Sequence, residues 1–542
     1  MENTRLTVKC PANQPVLTYA PNSSERHQIE RKLKEMTSHK LDIPIIINGE
    51  EIRTTSRKTC VMPHDHQHVL ATYSEAGERE IQMAIQSALD AREQWMNTRF
   101  EERAAIFARA ADLLAGPRRS TLNAATMLGQ SKTVHQAEID SACETIDFLR
   151  FNPYFASQIY GIQPDSLPGT LNHMDFRPLE GFVFGVTPFN FTAIGANIPT
   201  APILMGNTVV WKPASTAVYS SWFLMQLYKE AGLPDGVINF LPGRGSLIGD
   251  EVLSHPDLAG VHFTGSTAVF QHMWKTVGTN IGKYKTYPRL VGETGGKDFI
   301  MVHPSADPRA VITAIIRGAF EYQGQKCSAA SRAYIPSSLW YDIRDELTSQ
   351  TEAISMGDVQ DLKNFVSAVI DQNSFDHIKS YFEIARSSDQ YEIIAGGQCD
   401  DKEGYFVRPT LILSKDPRSQ LMSEEIFGPV LTIHVYPDNR FAETLALCDQ
   451  TSPYALTGSI MARDREAIRQ ASNRLRFSAG NFYINDKPTG AMVNQQPFGG
   501  SRASGTNDKG GSLLNLLRWT SPRTVKETLV PPTSYTYPFM RS

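Results

Sequence analysis

The sequence lacks the excess of positive charge that binding to nucleic acid or an anionic membrane would require. Lysine and arginine number 53 and aspartate and glutamate 57, so the formal net charge is −4, and the charges are dispersed along the chain. Recognition of phosphates depends on clustered cations, and no such cluster stands out. We therefore expect neither nucleic acid nor a membrane as a partner. With 41% hydrophobic and 20% charged residues the chain has the composition of a globular protein, and its 542 residues predict more than one domain.

Cysteine is scarce, and no two cysteines form a CxxC pair. The six are Cys10, Cys60, Cys143, Cys327, Cys399 and Cys448, and none is grouped with histidines at ligand spacing. This pattern argues against a zinc site and a disulfide framework, so we predict no metal centre. Scattered cysteines are typical of a reducing compartment. Each one, taken alone, is best interpreted as a small buried apolar side chain.

The first residues contain no clear targeting signal. They have no apolar core of the kind that a secretory signal needs. Residues 1–30 contain Glu2, Glu25 and Glu30 and only two arginines, which fits a mitochondrial presequence poorly. From these residues alone, the cytoplasm is an open alternative.

The longest uncharged stretch, residues 181–211, is long enough to span a bilayer but is unsuited to one. Three prolines, four glycines and three asparagines interrupt it, and asparagine is costly in lipid. The pattern instead predicts a strand (GFVFGV), a polar turn, a short helix and a second strand (NTVVWK). Both strands would be buried on both faces, as in a parallel sheet.

Short apolar runs alternate with helical segments through most of the chain, which predicts an α/β fold with largely parallel sheets. The strand candidates of a first region are 181–186, 207–211, 237–241 and 260–264. The strand candidates of a second region are 299–302, 332–336, 406–412 and 431–436. The helical candidates are 78–96, 100–115, 134–152, 307–320, 337–352, 373–386 and 464–476.

Cys327 is a candidate nucleophile because small residues surround it in GQKCSAAS, residues 324–331. A nearby cation, or the N-terminal end of a following helix, would lower the pKa of its thiol. Glu293, in the glycine-rich segment VGETGGKDF, could be a general base whose pKa burial raises, or a solvated turn residue. Asn190, in TPFNFTAIG, could donate to an oxyanion or cap a helix. Each signal is weak alone.

Other segments suggest a dinucleotide site. Lys212 ends a strand at the edge where α/β sheets bind ligands. Residues 243–249 (GRGSLIG) resemble a dinucleotide fingerprint, but their spacing is GxGxxxG, and we set them aside. The segments EEIFGPVL (424–431) and QQPFGGSRASG (495–505) each place a glycine turn beside an aromatic residue.

Together, the order and spacing of these segments resemble the aldehyde dehydrogenase superfamily from about residue 40 to 525. The separation of Glu293 and Cys327, 34 residues, is that of the family. The resemblance implies a Rossmann-type dinucleotide-binding domain (40–160 and 180–292) and a second α/β catalytic domain (293–488). It also implies a β-flap for oligomerisation (161–179 and 519–542), and so a homodimer or a dimer-based oligomer.

The resemblance further implies that NAD is the cofactor. The residues that it places around NAD are Lys212, Ser215, Gly265, Ser266, Thr267, Glu425 and Phe427. The segment 263–267 ends a strand and opens a helix, so its amides can meet phosphate. Many relatives that prefer NAD carry glutamate where Ser215 stands, which leaves NADP open. Phe270 replaces a glycine that is usual in the superfamily.

Segments such as GNFYIND and TGAMVNQQPFGGSRASGTNDK narrow the resemblance to the branch that oxidises L-glutamate γ-semialdehyde, formed from Δ1-pyrroline-5-carboxylate, to glutamate in proline degradation. The branch implies that Ser328 and the backbone amides of Gly490 and Ala491 anchor the substrate α-carboxylate. Phe191 and Phe498 would enclose the carbon chain. Glu144 could face the pocket or the substrate ammonium. The family leads us to expect the mitochondrial matrix.

The implied mechanism begins with attack of Cys327 on the aldehyde, while Asn190 stabilises the oxyanion. Glu293 then activates the water that hydrolyses the thioester. Reductases and acyl-CoA-forming relatives need no such base, so Glu293 argues against them. Relatives often have glycine where Ala196, Thr200 and Asn494 stand, so oxidation of another amino-acid or carboxylic-acid semialdehyde is an alternative. A non-enzymatic structural protein is a further one.

Overall fold

The computed structural model describes residues 8–541. Its strands are β1 (Leu41–Ile43), β2 (Ile45–Ile47), β3 (Glu50–Ile52), β4 (Arg57–Met62), β5 (Asp65–Ser74), β6 (Thr170–Pro178), β7 (Phe182–Val186), β8 (Val209–Lys212), β9 (Ile238–Phe240), β10 (Leu258–Thr264), β11 (Arg289–Glu293), β12 (Asp298–Val302), β13 (Ala330–Pro336), β14 (Tyr391–Ala395), β15 (Cys399–Asp400), β16 (Phe406–Val407), β17 (Thr410–Ser414), β18 (Val430–Tyr436), β19 (Tyr454–Ala455), β20 (Thr457–Met461), β21 (Asn481–Ile484), β22 (Ser501–Arg502) and β23 (Thr520–Thr528).

The α-helices are α1 (Ser24–Thr37), α2 (Glu78–Asn97), α3 (Phe100–Ala115), α4 (Arg119–Gln130), α5 (Val134–Ala137), α6 (Thr145–Tyr160), α7 (Thr192–Leu204), α8 (Val218–Ala231), α9 (Gly245–Leu253), α10 (Thr267–Thr279), α11 (Pro308–Phe320), α12 (Ser337–Glu352), α13 (Gln372–Arg386), α14 (Gln420–Ser423), α15 (Phe441–Gln450), α16 (Arg465–Arg474) and α17 (Leu513–Leu517). A π-helical turn, Glu138–Glu144, joins α5 to α6. The sequence predicts a helix over 134–152 but does not reveal this turn.

The first large sheet has seven strands in the order β11-β10-β7-β8-β9-β2-β3. The strands β11, β10, β7, β8 and β9 run parallel, and β2 and β3 are antiparallel additions at one edge. From β7 the chain proceeds to β8 and β9 on one side and then returns to β10 and β11 on the other. The strand order therefore reverses between β7 and β10, and such a switch point opens a crevice at the carboxyl ends of the strands.

The uncharged stretch from 181 to 211 forms β7, α7 and β8, as the sequence predicts. Every residue of β7 and β8 is buried except Val186 and Lys212 at their carboxyl ends, which are half-buried. No helix in the described residues is long and apolar enough to cross a membrane.

The second large sheet has the order β14-β17-β18-β13-β12-β20-β21, and only β14 is antiparallel to its neighbour. The prediction of one strand over 406–412 is wrong. Pro409 cannot donate a ladder hydrogen bond, and the chain divides there: β16 pairs with β15, and β17 joins the large sheet. The fold is α/β, as the sequence indicates.

The segment 161–179 and the tail from 519 come together in a two-stranded ribbon. Strand β6 pairs with β23 in antiparallel register from Thr170–Thr528 to Pro178–Thr520. The last residue of the predicted flap, Ser542, lies outside the described residues. The domain boundary predicted at residue 293 stays a prediction: Glu293 ends the first sheet, and Asp298 opens the second.

Candidate functional site

The carboxyl ends of four neighbouring parallel strands of the first sheet carry about half of the predicted site residues. Residues 187–191 follow β7, Lys212 ends β8, residues 265–267 follow β10, and Glu293 ends β11. The loop with Cys327 precedes β13 of the second sheet, so the candidate nucleophile reaches this edge from the other sheet. Residues far apart in the sequence therefore converge on one crevice.

Cys327 lies in a turn between a 3-10 turn, Glu321–Gly324, and β13, so the expectation of a following helix is wrong. The neighbouring cation does not serve the thiol either, because Lys326 pairs with Glu321 at 2.9 Å. Burial raises the pKa of the Cys327 thiol well above its usual range, and the carboxylates of Asp298 and Glu293 add to the rise. The sequence expectation of a lowered thiol pKa is therefore wrong for this structure.

The Glu293 carboxylate accepts a hydrogen bond from the Gly500 amide at 3.2 Å. Burial raises its pKa well above the usual range, the direction expected for a general base that works near neutral pH. The Gly500 amide and the positive charge of Lys509 oppose this rise. Lys509 is held in place because its ammonium donates to the carbonyl oxygens of Gly480 and Gly499 at 2.8 and 3.1 Å.

Asn190 is buried, and its side-chain amide donates to the carbonyl oxygen of Gln325 at 3.1 Å, two residues before the candidate nucleophile. It does not cap α7, because Phe191 occupies the N-cap position. The cap comes from Asp140, whose carboxylate accepts from the amides of Thr192 and Ala193 at 3.0 and 2.9 Å. The Asn190 amide therefore has a second N–H available beside the Cys327 loop.

Cys327 opens onto a cavity of about 310 Å³. The residues predicted for the substrate all line it; they are Ser328, Gly490, Ala491, Phe191 and Phe498. Glu293 and Cys327 also line this cavity, whereas Asn190 does not. The five predicted substrate residues are thus brought together around the thiol.

Several contacts hold the cavity walls. The Lys132 ammonium lies 4.2 Å from the centre of the Phe191 ring and pairs with Asp140 at 2.6 Å. Phe498 is fixed by two backbone hydrogen bonds with Gly510. Ser328 shares a hydrogen bond of 2.8 Å with the Thr489 hydroxyl.

Glu144 and Lys487 are two of the charged residues that line the cavity. Glu144 lines it at the end of the π-helical turn, and within the described chain its carboxylate has no hydrogen-bond partner. Burial raises the pKa of Glu144 well above its usual range. Lys487, which the sequence argument missed, also lines the cavity, and a Cβ atom on Gly490 would lie 3.4 Å from its Nζ. Gly490 has φ +96°, so the loop itself requires glycine.

On the dinucleotide side, Lys212 is half-buried, and its ammonium has no hydrogen bond or ion pair within residues 8–541. Burial lowers its pKa to about 8. A partly buried cation without a protein partner is costly, and hydroxyl groups of a nucleotide ribose would satisfy it. Ser215 is half-buried and opens the 3-10 turn that follows β8. The segment 243–249, which we set aside as a dinucleotide fingerprint, also lies beside Lys212, because a Cβ atom on Gly245 would lie 3.7 Å from the Lys212 Nζ.

The segment after β10 is built as a helix N-terminus. Ser266 is the N-cap of α10, and its hydroxyl accepts from the Val269 amide. Thr267 is the first helical residue, and Gly265 donates to the carbonyl oxygen of Glu293 at 3.2 Å. Phe270, where relatives have glycine, is buried and stacks on Phe263 with ring centres 5.4 Å apart. The Phe270 ring is therefore accommodated in the core, where it packs against Phe263.

Glu425 and Phe427 lie in the loop before β18. The Glu425 carboxylate accepts from the Gly296 amide at 2.9 Å, and burial raises its pKa to about 7. Phe427 has φ +56°, and its ring lies edge-on to that of Phe189, with centres 5.8 Å apart. Together with Lys212 these residues fit a bound dinucleotide, because the carboxylate and the ammonium are both available to hydroxyl groups.

The three positions where relatives have glycine do not line the described cavity. Thr200 is satisfied within α7, where its hydroxyl donates to the Ala196 carbonyl oxygen at 2.8 Å. Asn494 has φ +68°, a conformation that glycine and asparagine tolerate, and its amide donates to Gly511. These substitutions give no structural reason for a changed substrate.

Comparisons with known proteins identify the family of the chain. Residues 52–525 match the model of the aldehyde dehydrogenase family. The mitochondrial Δ1-pyrroline-5-carboxylate dehydrogenase of Dictyostelium discoideum is 53% identical over 99% of this chain and 97% of that protein. The human mitochondrial protein of the same name is 49% identical over 98% of this chain and 94% of its own.

Solved structures give the same result. The Δ1-pyrroline-5-carboxylate dehydrogenase of Mycobacterium tuberculosis, solved with NAD, superposes with a TM-score of 0.97 at 52% identity, and both chains are covered completely. A 1-pyrroline-5-carboxylate dehydrogenase from Thermus with bound NAD has a TM-score of 0.90 at 31% identity over 96% of this chain and all of its own. The family match and these identities show that the chain belongs to the aldehyde dehydrogenase family.

Proposed function

We propose that this protein oxidises L-glutamate γ-semialdehyde to L-glutamate with NAD, the last step of proline degradation. The observation that carries the proposal is the composition of one cavity, where the Cys327 thiol is accompanied by a carboxylate, Glu144, and an ammonium, Lys487. An amino-acid semialdehyde carries an α-ammonium, an α-carboxylate and an aldehyde, and these match the three groups. The relatives named Δ1-pyrroline-5-carboxylate dehydrogenase support the same substrate.

The anchor for the α-carboxylate would be Ser328, the amides of Gly490 and Ala491, and the charge of Lys487. Backbone amides in a left-handed loop form a concave site that suits an anion. Glu144 would hold the α-ammonium, which would also give its half-buried carboxylate a partner. Phe191 and Phe498 would enclose the methylene groups between these ends and the aldehyde.

The chemistry would begin with attack of the Cys327 sulfur on the aldehyde carbon. Because burial raises the thiol pKa, the proton must leave as the sulfur attacks or on binding of the other reactants. Asn190 and the backbone amide of Cys327 would stabilise the oxyanion. The chemistry that bound NAD supplies is acceptance of the hydride, which leaves a thioester on the sulfur. Glu293 would then accept a proton from the water that hydrolyses this thioester and releases glutamate.

NAD would be held by the crevice of the first sheet. Lys212 would bind adenosine ribose hydroxyls, and the N-terminus of α10, from Ser266 and Thr267, would face the diphosphate. Glu425 would bind nicotinamide ribose hydroxyls, with Phe427 beside the ring. NAD-bound neighbours support this cofactor. Because Ser215 is small and uncharged, a 2′-phosphate would not be repelled there, so NADP remains an alternative.

A panel of aldehydes tests the substrate. We expect kcat/KM to be highest for L-glutamate γ-semialdehyde. It should be lower for aspartate semialdehyde, which is one carbon shorter, and for glutarate semialdehyde, which has the same chain length but lacks the ammonium. If the shorter aldehyde or the aldehyde without an ammonium is preferred, the protein serves another semialdehyde. If no aldehyde yields NADH, the catalytic proposal is wrong.

We also propose that the chain forms a homodimer or a dimer-based oligomer through the ribbon of β6 and β23. Aromatic side chains of the adjoining tail are exposed in the single chain: Tyr535 by 87% and Phe539 by 84%. Apolar residues this exposed are typical of surfaces that a partner covers. Light scattering should give at least twice the chain mass of 60.3 kDa, and a monomer at assay concentration would contradict the proposal.

For location we propose the mitochondrial matrix, because the relatives from Dictyostelium discoideum and Homo sapiens are named mitochondrial proteins. The cytoplasm is the alternative. Fractionation of cells that express the full chain with a C-terminal tag would distinguish the two compartments.

A further inference from the structure

The segment before the first helix forms part of the cavity although it contains no helix or strand. We call residues 10–19 the N-terminal arm. Gln14 and Val16 of the arm line the same cavity as Cys327 and Glu144. Val16 is 41% exposed, so it touches both the cavity and solvent. The arm therefore borders the entrance to the site.

Two buried carboxylates hold the arm in this place. Asp147 accepts from the Asn13 side-chain amide at 2.8 Å and from the Gln14 backbone amide at 2.7 Å. Glu138 accepts from the Leu17 amide at 2.9 Å and from the Tyr19 hydroxyl at 2.8 Å. Hydrogen bonds to a buried charged acceptor are stronger than neutral ones, so each anchor fixes the arm firmly.

The same two carboxylates flank Glu144 along one helical run. Glu138 begins the π-helical turn, Glu144 ends it, and Asp147 lies in the first turn of α6. A π-helical turn is uncommon and is frequently found at functional sites. The arm therefore binds the carboxylates that lie before and after Glu144 on this helical run.

The arm precedes the part of the chain that matches the family model, residues 52–525. It reaches the far side of the cavity as well: the Asn13 amide also donates to the Val493 carbonyl oxygen, and Gln495 donates to Asn13, both at 3.0 Å. Val493 follows the predicted carboxylate anchor by two residues. The arm thus connects the Glu144 helix to the anchor loop.

We propose that the N-terminal arm is a specificity element of the substrate site, which walls the cavity and positions Glu144 and the 490–493 loop for an α-amino acid. This inference rests on the proposed function, since it assigns the arm to recognition of the ammonium and carboxylate ends. Asn13 is a positioning residue that acts through Asp147 and Val493. Val16 is a residue of the cavity wall itself.

The test compares two aldehydes in full-length variants. L-Glutamate γ-semialdehyde carries both charged ends, and propanal carries neither. Asn13→Ala removes the contacts to Asp147, Val493 and Gln495. Val16→Trp narrows the entrance and removes no hydrogen bond. Thr18→Ala is the matched control, because Thr18 is an exposed arm residue without a hydrogen bond in the described chain.

For Asn13→Ala we expect KM for the semialdehyde to rise about tenfold, a change that corresponds to about 1.4 kcal/mol. Its kcat, its KM for NAD and its kcat/KM for propanal should stay within about twofold of wild type, since the arm contacts none of the groups assigned to these steps. Val16→Trp should lower kcat/KM for the semialdehyde more than for propanal. Thr18→Ala should match wild type.

Equal changes for both aldehydes in Asn13→Ala and Val16→Trp, or none, would overturn the arm's role. If the melting temperature of Asn13→Ala falls well below that of wild type, its kinetics reflect lost stability, and the comparison of the two aldehydes in Val16→Trp then tests the arm's role. If wild type itself does not prefer the semialdehyde to propanal, the proposed function fails, and the arm's role fails with it. If wild type keeps its preference and the variants keep it too, only the arm's role fails.

Discussion

Replacement of Glu293 by glutamine separates hydride transfer from hydrolysis of the thioester. Glutamine keeps the size of the side chain and an oxygen that can accept from the Gly500 amide, which is the one hydrogen bond of the Glu293 carboxylate within residues 8–541. What is lost is the ability to accept a proton from water. General-base catalysis typically contributes about 10²–10⁴-fold, so we expect the steady-state rate of Glu293→Gln to fall by that factor. At 1.36 kcal/mol per tenfold, this is about 2.7–5.4 kcal/mol of the barrier.

The assay is rapid mixing of Glu293→Gln with NAD and the semialdehyde, followed by absorbance of NADH. We expect a burst of about one NADH per active site and then slow turnover, because thioester accumulates. Glu144→Gln is the matched control: it removes another half-buried carboxylate of the same cavity and should raise KM without a burst. Steady turnover of Glu293→Gln within about tenfold of wild type and without a burst would refute the role of Glu293.

The pH dependence gives a second measure of the same group. Glu293 must lose its proton to act as a base, and burial raises its pKa, so the hydrolysis rate of wild type should increase as pH rises through that pKa. The positive charge of Lys509 lowers the pKa of Glu293. Lys509→Met should therefore move the rising limb to higher pH, and a shift to lower pH would contradict this electrostatic account.

Further predictions concern other parts of the site. Cys327→Ala should yield no NADH, while its melting temperature and its NAD binding, measured by calorimetry, stay those of wild type; residual turnover near wild type would exclude Cys327 as the nucleophile. Asn190→Ala should lower kcat by about 10²–10³, the usual cost of one oxyanion donor, and an unchanged kcat would show that other donors suffice. Ser215→Glu should raise the ratio of kcat/KM for NAD over NADP, because a carboxylate there repels the 2′-phosphate; an unchanged ratio would place the discrimination elsewhere. Asp140→Asn leaves the buried ammonium of Lys132 without its charged partner, which typically costs about 3–5 kcal/mol, so its denaturant midpoint should fall clearly and an unchanged midpoint would contradict the pairing.

Local patterns in the sequence were sufficient for much of the fold. The strands β7, β8 and β10 were predictable because their apolar runs are short, continuous and bounded by turns, and buried parallel strands have this pattern. The strand predicted over 406–412 failed because the effect of Pro409 depends on which neighbour each half pairs with, and pairing partners are not encoded locally. The π-helical turn was missed because its apolar spacing differs little from that of an α-helix.

The site shows the same division. The family resemblance depends on the types and spacing of a few residues, among them Glu293, Asn190 and the cysteine, and the sequence by itself contains these. The state of the thiol was decided only by the tertiary structure: Lys326, its neighbour in sequence, pairs with Glu321 instead, and burial next to Asp298 raises the thiol pKa. The electrostatic environment and the burial of an atom depend on all the residues that surround it in the folded chain, so the neighbouring residues in the sequence do not predict them.

The residues that sequence reasoning missed are those that lie near the site in the folded chain although they are distant from it in the sequence. The N-terminal arm reaches the cavity through hydrogen bonds between residues more than a hundred positions apart, such as that of Asn13 with Asp147. Lys487 was passed over because nothing near it in the chain distinguishes it from a surface lysine. The sequence by itself thus determined the family and the candidate reacting groups. The folded chain decided which charges line the cavity, because long-range contacts and burial are properties of the tertiary structure alone.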